Sequence, residues 1–190
     1  MKILSRLVAL FLLILALPLL IVLALLVGLS MGRPVIFRQT RSGKDGKDFV
    51  LVKFRSMNDA RDATGALLPD GDRTTLIGSL LRRSRLDELP GLWNVVRGEM
   101  NFVGPRPLLP ITIAEKGEAG RRRGEVSPGL TGWAQVNGNT LLSLDEKIAL
   151  DLWYIDNRSV WLNLQIILRT LLVMVGGERR TVAAAGKTSS

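Results

Sequence analysis

LVALFLLILALPLLIVLALLVGL, residues Leu7–Leu29, is almost purely apolar. At about 23 residues it exceeds the ~20 that a helix needs to cross a bilayer, so the chain is read as membrane-bound. A cleaved signal peptide is the alternative. Its apolar region, however, usually runs ~7 to 15 residues and ends in a small-residue cleavage site, which Gly28-Leu29-Ser30-Met31 does not make. Pro18 stands near the middle of the run, where it removes a helix hydrogen bond and clashes with the preceding turn, so a bend is expected there. Positive residues flank both ends: Lys2 and Arg6 before, then Arg33, Arg38, Arg41, Lys44 and Lys47 after. A positive-inside reading wants both flanks in the cytoplasm, which a bent, re-entrant helix satisfies, although proline is also tolerated in spanning helices. Charge and proline leave re-entrant and spanning open. In both cases the body of the protein is cytoplasmic.

The remainder of the 190 residues suffices for one domain with its own core. Lys and Arg number 26 against 17 Asp and Glu, a net charge of +9, which calls for an anionic partner: nucleic acid, anionic lipid or a phosphorylated small molecule. The sequence holds no Cys and no His, which excludes disulfides, thiolate nucleophiles, imidazole bases and most transition-metal sites. Carboxylates, arginines and a hard cation such as Mg2+ remain as chemical tools.

Outward from the apolar run, Pro34–Gln39 and Phe49–Met57 are apolar pieces around a Gly/Lys/Asp turn and read as a β-hairpin. Lys53 and Arg55 alternate with Val52 and Phe54 and so share a face. Asn58–Arg73 is polar, with Pro69-Asp70-Gly71 as a turn signal, and reads as a loop. Thr74 or Thr75 is placed to cap a helix from Leu76 to Arg83. Ser84-Arg85-Leu86-Asp87 fits a capping box opening a second helix through Val96, with Leu89, Leu92 and Val96 inward and Gly98 as stop.

The stretch Arg82–Pro107 concentrates the chemistry. Adjacent carboxylates, Asp87 and Glu88, lie between an arginine cluster (Arg82, Arg83, Arg85) and Arg106, which is held between Pro105 and Pro107. Carboxylates approach a phosphate only where cations screen the two anions. Asp87 equally suits a helix cap, and Gly104-Pro105-Arg106-Pro107 equally suits a proline turn with a surface arginine. Flanking prolines restrict the backbone, and a guanidinium fixed in this way suits bidentate phosphate recognition.

Farther on, Ala114–Gly124 is charged and expected to be exposed, Arg121–Arg123 included. Ser127–Asn139 is turn-rich and shaped for a pocket floor. Ser143-Leu144-Asp145-Glu146 is a capping box opening a helix with Leu144, Ile148, Leu152 and Ile155 inward and Lys147, Asp151 and Tyr154 on another face, either solvated or lining the site. Trp161–Val175, apolar but short and interrupted by Arg169, reads as an interfacial or core helix. Glu178–Ser190 reads as a disordered tail.

With these residues laid out, the chain resembles the small bacterial sugar transferases, the monotopic polyprenyl-phosphate phosphoglycosyl transferases. The resemblance runs from Lys2 to Leu171 through Pro34–Gln39, Lys53–Met57, Leu86-Asp87-Glu88-Leu89-Pro90, Val103–Pro107 and Gly129–Gly138, in order. It implies transfer of a sugar 1-phosphate from a UDP-sugar to a membrane polyprenyl (undecaprenyl) phosphate, releasing UMP, as the first membrane step of bacterial glycoconjugate synthesis. Asp87 then stands for the nucleophile that forms a phosphosugar-enzyme intermediate, and Glu88 for a magnesium ligand beside it. Arg82 and Arg106 stand for phosphate binders. Lys53, Arg55 and Gln135 are further substrate-binding candidates, and Asp87 and Glu88 together are the metal candidates. The family's apolar helix is re-entrant and bent at a proline, here Pro18. Where the family usually places Arg-Asn after Val136-Asn137-Gly138, this chain has Asn139-Thr140, which bears on donor contacts in that loop.

The expected architecture is therefore α/β, mostly helical with a short hairpin. A re-entrant membrane helix (1–31) precedes a cytoplasmic catalytic domain with interfacial amphipathic helices (32–177) and a disordered tail (178–190), on the cytoplasmic face of the inner membrane. The expected partners are UDP-sugar, polyprenyl phosphate and membrane lipid, with Mg2+ as cofactor. A basic membrane protein binding anionic lipid or nucleic acid without catalysis is the alternative. One Tyr and five Phe give little of the aromatic interleaving of a single-strand binder, so no nucleic acid is expected. A glycosyl transferase using the carboxylates as acid and base ranks last, since neighbours on one turn do not flank a glycosidic bond.

Overall fold

The computed structural model describes residues 2–180. Among the described residues the chain is mostly helical with two short two-stranded sheets, and it divides into two compact units. The first unit comprises Ile3–Gln39 and Leu51–Val96; the second comprises Thr40–Val50 and the chain from Arg97 on.

The apolar run forms helices α1 (Lys2–Leu15) and α2 (Leu17–Met31), bent by 61° at the break between them. The bend expected at Pro18 is present. Pro18 stands in the first turn of α2, where its missing N–H is tolerated, and Leu20 N–H continues the ladder to Ala16 O at 2.8 Å. Among the described residues no single helix is long and apolar enough to cross a membrane, while this bent pair passes together by length and composition. One side of α2, with Leu23 and Val27, packs on Phe54, Leu81, Leu86 and Leu89 to form the core of the first unit.

Strands β1 (Ile36–Ser42) and β2 (Asp48–Phe54) form the expected hairpin around a turn at Lys44–Gly46. The polar loop that follows contains a short helix, α3 (Asp70–Arg73), and is pinned by bridges Met57 to Thr74 and Arg61 to Leu67. Helix α4 (Leu76–Ser84) is capped by Thr75, whose hydroxyl accepts from Gly78 N at 3.0 Å. A Cβ at Gly78 would lie 1.9 Å from Ser56 O, so only glycine lets α4 approach the end of β2 this closely.

The expected capping box at Ser84 does not form. Ser84 is the last residue of α4, and its hydroxyl donates back to Leu80 O at 2.8 Å. Arg85 turns left-handed (φ 56°), Leu86–Gly91 winds as a 3-10 helix containing Pro90, and only then does α5 (Leu92–Arg97) begin. Pro90 lacks the N–H that a continuous α-helix would use, so the segment tightens. Val95, with Leu92, is the buried position of α5 where Val96 was expected, and Gly98 (φ 77°) ends the helix as expected.

In the second unit the strands β3 (Asn101–Val103) and β4 (Gly129–Thr131) pair in parallel, Asn101 opposite Gly129 and Val103 opposite Thr131. The remaining helices are α6 (Pro110–Glu115), α7 (Gly117–Arg123), α8 (Trp133–Val136), α9 (Leu144–Asn157) and α10 (Val160–Gly176). The core gathers Val103, Val136, Tyr154, Ile155, Leu162 and Ile166. The Ser143 box is present: Glu146 N donates to Ser143 Oγ (3.2 Å) and Ser143 N to Glu146 Oε2 (2.8 Å). Asp151 and Tyr154 are buried, against the reading of a solvated face. On α10 Leu162 and Ile166 are buried, while Trp161, Leu164, Leu168 and Leu172 are exposed. Of the expected tail, Glu178 accepts hydrogen bonds from Thr140 N (3.1 Å) and from the Asn139 amide, and Arg180 pairs with Glu146. Residues 181–190 lie outside the described residues.

Candidate functional site

The acidic pair rides on the 3-10 turn of the first unit. With three residues per turn, Leu86 and Leu89 share one face and both join the apolar cluster of α2, α4 and β2. Asp87 is held 6 % exposed in the company of buried Pro90, and Glu88 is partly buried. Their side chains diverge by roughly 120°, so the two carboxylates address different atoms. The packing of Leu86 and Leu89 against α2 thus ties the acid turn to the apolar helix pair.

Around this turn the basic candidates are placed differently from one another. Arg82, on the last turn of α4, donates from Nε to Ser56 Oγ at 2.8 Å. Lys53 Nζ lies over the Phe37 ring, 5.2 Å from its centre. Arg55 is buried, and all of its nitrogens are engaged within the protein: Nε donates to Met57 O (2.9 Å), Nη1 to Met31 O and Arg33 O (both 3.3 Å), and Nη2 to Asp59 (2.5 Å). Its contacts fasten the end of α2 to the end of β2. Asn94, not singled out from the sequence, is 1 % exposed and accepts from Val52 N at 3.1 Å, joining α5 to the hairpin.

The second unit carries Arg106. Gly104-Pro105-Arg106-Pro107 follows β3 and lies against β4; a Cβ at Gly129 would sit 2.1 Å from Gly104 N, so glycine is required at that crossing. Prolines at 105 and 107 remove two donors, and the carbonyls here are satisfied from elsewhere. Pro105 O accepts from Gly129 N (3.0 Å), Arg106 O from Arg123 Nη2 (2.8 Å), Pro107 O from Arg41 Nη1 (3.3 Å) and Leu108 O from Ser42 N (2.9 Å). Four successive carbonyls are therefore anchored. Beside them lies a cleft of about 470 Å³ whose lining includes Arg106, Arg121 and Arg123.

Arg123 is a correction to the sequence reading, which left it exposed with Arg121 and Arg122. It is 5 % exposed and bridges to Asp151, with Nη2 and Nε at 2.6 and 3.0 Å from Asp151 Oδ2. Burial raises the Asp151 carboxyl to about 6, against the pull of Arg123, Arg106 and Lys147. Arg41 is lowered by burial and by the neighbouring charge of Arg106. Gln135 is buried; its amide nitrogen donates to Leu130 O (3.1 Å), and its oxygen is without a partner. Arg169 stacks over Trp133 (5.0 Å to the ring centre), which in turn stacks on Trp153 (5.0 Å), and reaches Asn137 Oδ1 at 3.3 Å.

Among the described residues no three carboxylates gather into a metal cage. A magnesium ion usually takes one or two carboxylates, keeps several waters and completes its shell with substrate phosphates, and a single carboxylate of the pair, such as Glu88, suits that donor set.

A family profile described as bacterial sugar transferase matches residues 1–177. A chain named uncharacterized sugar transferase EpsL, from Bacillus subtilis (strain 168), is 50 % identical over 145 residues, 76 % of this chain and 72 % of the relative. UDP-glucose:undecaprenyl-phosphate glucose-1-phosphate transferase of Escherichia coli (strain K12) is 43 % identical over 166 residues, 81 % of this chain and 35 % of the relative. UDP-N-acetylgalactosamine-undecaprenyl-phosphate N-acetylgalactosaminephosphotransferase of Aeromonas hydrophila is 38 % identical over 168 residues, 84 % of this chain and 40 % of the relative. The chain thus spans well under half the length of these last two.

Proposed function

The chain belongs to the bacterial sugar transferase family, and from that premise we propose that it is a membrane-associated phosphoglycosyl transferase. It moves a sugar 1-phosphate from a UDP-sugar to undecaprenyl phosphate and releases UMP. The donors named for relatives, UDP-glucose and UDP-N-acetylgalactosamine, define the first substrates to test. The observation that carries the reading is the buried Asp87 beside Glu88 on a turn packed against the apolar helix α2.

Asp87 is the nucleophile. A carboxylate oxygen attacks the sugar-bearing phosphorus of the donor, the bond from that phosphorus to the bridging oxygen breaks, and UMP departs with the electron pair. An oxygen of the polyprenyl phosphate then attacks the same phosphorus, the acyl phosphate bond breaks, and the Asp87 carboxylate is regenerated. No step requires an imidazole. Two displacements divide one difficult transfer, so the aqueous donor and the lipid acceptor need never be bound together. Glu88 would hold Mg2+, which would supply charge neutralisation at the diphosphate. Arg82 and Arg106 bind phosphate oxygens; Lys53 is a candidate for the acceptor phosphate.

The 61° bend between α1 and α2 supports a re-entrant helix pair, with both flanks and the catalytic residues on the cytoplasmic face of the inner membrane. A lipid-borne acceptor makes sense of the position of Asp87, since the turn that carries it is packed on α2. Asp87→Asn, which keeps the side-chain volume, is expected to abolish UMP release from a UDP-sugar with undecaprenyl phosphate. Full turnover in that variant refutes the nucleophile. Cysteines placed before Arg6 and after Arg33 should both label from the cytoplasm; periplasmic labelling of the N-terminal site refutes the re-entrant topology.

A further inference from the structure

The Arg123–Asp151 pair has no place in the chemistry above, yet it is an ion pair whose side chains are only 4 % and 2 % exposed. Burying two charges is costly, and such pairs are weak contributors to stability unless each group is used fully. Arg123 is used twice. It spends Nε and Nη2 on Asp151 and, from the same Nη2, donates to the carbonyl of Arg106 at 2.8 Å.

That carbonyl is the root of the Arg106 side chain. The turn cannot hold itself, because Pro105 and Pro107 contribute no N–H, and its other carbonyls are taken by Gly129, Arg41 and Ser42. Of these donors Arg123 alone acts on Arg106 itself. Charge points the same way. Burial and then the charge of Arg106 lower Arg41, while burial raises Asp151 against the opposing pull of Arg123, Arg106 and Lys147. The Asp151 carboxylate is thus the counter-charge to the Arg123 guanidinium that grips this turn.

We propose that Arg123 and Asp151 are positioning residues for Arg106: the buried pair grips the Arg106 carbonyl and so fixes where its guanidinium meets a phosphate oxygen of the substrate. The inference rests on the reading of Arg106 as a phosphate binder. It assigns Arg123 and Asp151 no contact with substrate.

A double-mutant cycle on the full chain in detergent tests it, with UMP release scored on whichever of UDP-glucose and UDP-N-acetylgalactosamine turns over faster. Arg123→Lys keeps the positive charge but cannot present the planar fork that spans carboxylate and carbonyl. Asp151→Asn keeps the shape and an acceptor oxygen, and carries the cycle if Arg123→Lys does not accumulate as folded protein. Each is expected to lower kcat/KM at least tenfold in the wild-type background and by less than twofold in the Arg106→Ala background, since a lever acting through Arg106 has nothing to move once Arg106 is gone. A merely structural role predicts the same loss in both backgrounds, and that result overturns the proposal, as does the absence of any loss in the single variants. Arg106→Ala without effect would instead refute the phosphate role of Arg106, and the inference with it, before Arg123 is changed. Absence of turnover in the unaltered chain counts against the function and is read separately. In that event the same cycle is run on affinity for UDP, where additive losses again overturn the proposal.

Discussion

The acid turn at Leu86–Gly91 and the arginine turn at Gly104–Pro107 are both short, proline-containing and close in sequence, yet they are held by opposite means. The turn that carries Asp87 and Glu88 is seated through its apolar neighbours: Leu86 and Leu89, partly buried, pack on the cluster under α2. Arg106 has proline neighbours and is fixed by polar groups reaching in from residues 41, 42, 123 and 129. A turn can be seated by leucines on one face while its acidic residues leave the other faces. A charged side chain gains little from apolar packing, and the backbone of the arginine turn is held by hydrogen bonds instead.

Breaking each anchor should separate the two. The largest effect is expected from Arg123→Met, which removes one partner of a buried pair and should cost about 3 kcal/mol or more in denaturant unfolding. A loss below 1 kcal/mol would show that the pair is not a fastener at all. Leu89→Ala attacks the apolar anchor; Leu89 is partly buried, so about 2 kcal/mol is expected. It should also reduce UMP release without altering either carboxylate. Thr75→Ala removes the cap whose hydroxyl accepts from Gly78 N and should cost about 1 kcal/mol. It leaves both anchors intact, so kcat is expected to stay within twofold.

The same contrast explains what was legible in the sequence. Features written within a few residues of one another were readable: the bend at Pro18, the hairpin, the helix capped by Thr75 and the box at Ser143 all follow from local pattern, and all are present. Ser84 carried the same local signature and failed, because a left-handed Arg85 and Pro90 outweigh a capping box that would need both residues to be helical. Strands of three residues, β3 and β4, lie below the length at which alternation is visible. Arg123 looked like one member of a solvated arginine run; its partner lies 28 residues away, and nothing in the intervening pattern announces the pairing. Asp87 and Glu88 were legible as a pair because charge is adjacent in sequence. The burial of Asp87 was not, since the turn that carries it is seated by contacts with a helix some sixty residues earlier.

The mildest perturbation is pH, and its sign distinguishes positioning from stability. Asp151 titrates near 6 in the folded chain because burial outweighs its cationic neighbours, whereas in the unfolded chain it takes the ordinary value near ~3.9. The folded state therefore binds the proton first, and the stability this group contributes is fully present below about 4 and lost as pH rises through about 6. Acidification from 7 to 5 should thus not destabilise the chain through Asp151. It does remove the negative charge against which Arg123 is held. If the pair positions Arg106, kcat/KM for the UDP-sugar should fall on the acid side of about pH 6 by at most tenfold per pH unit, with no loss of thermal stability attributable to this group. Asp151→Asn, already uncharged, should lose that limb and run flat at the lower level. A limb that persists unchanged in Asp151→Asn belongs to some other group and would separate the arginine turn from the titration of its counter-ion.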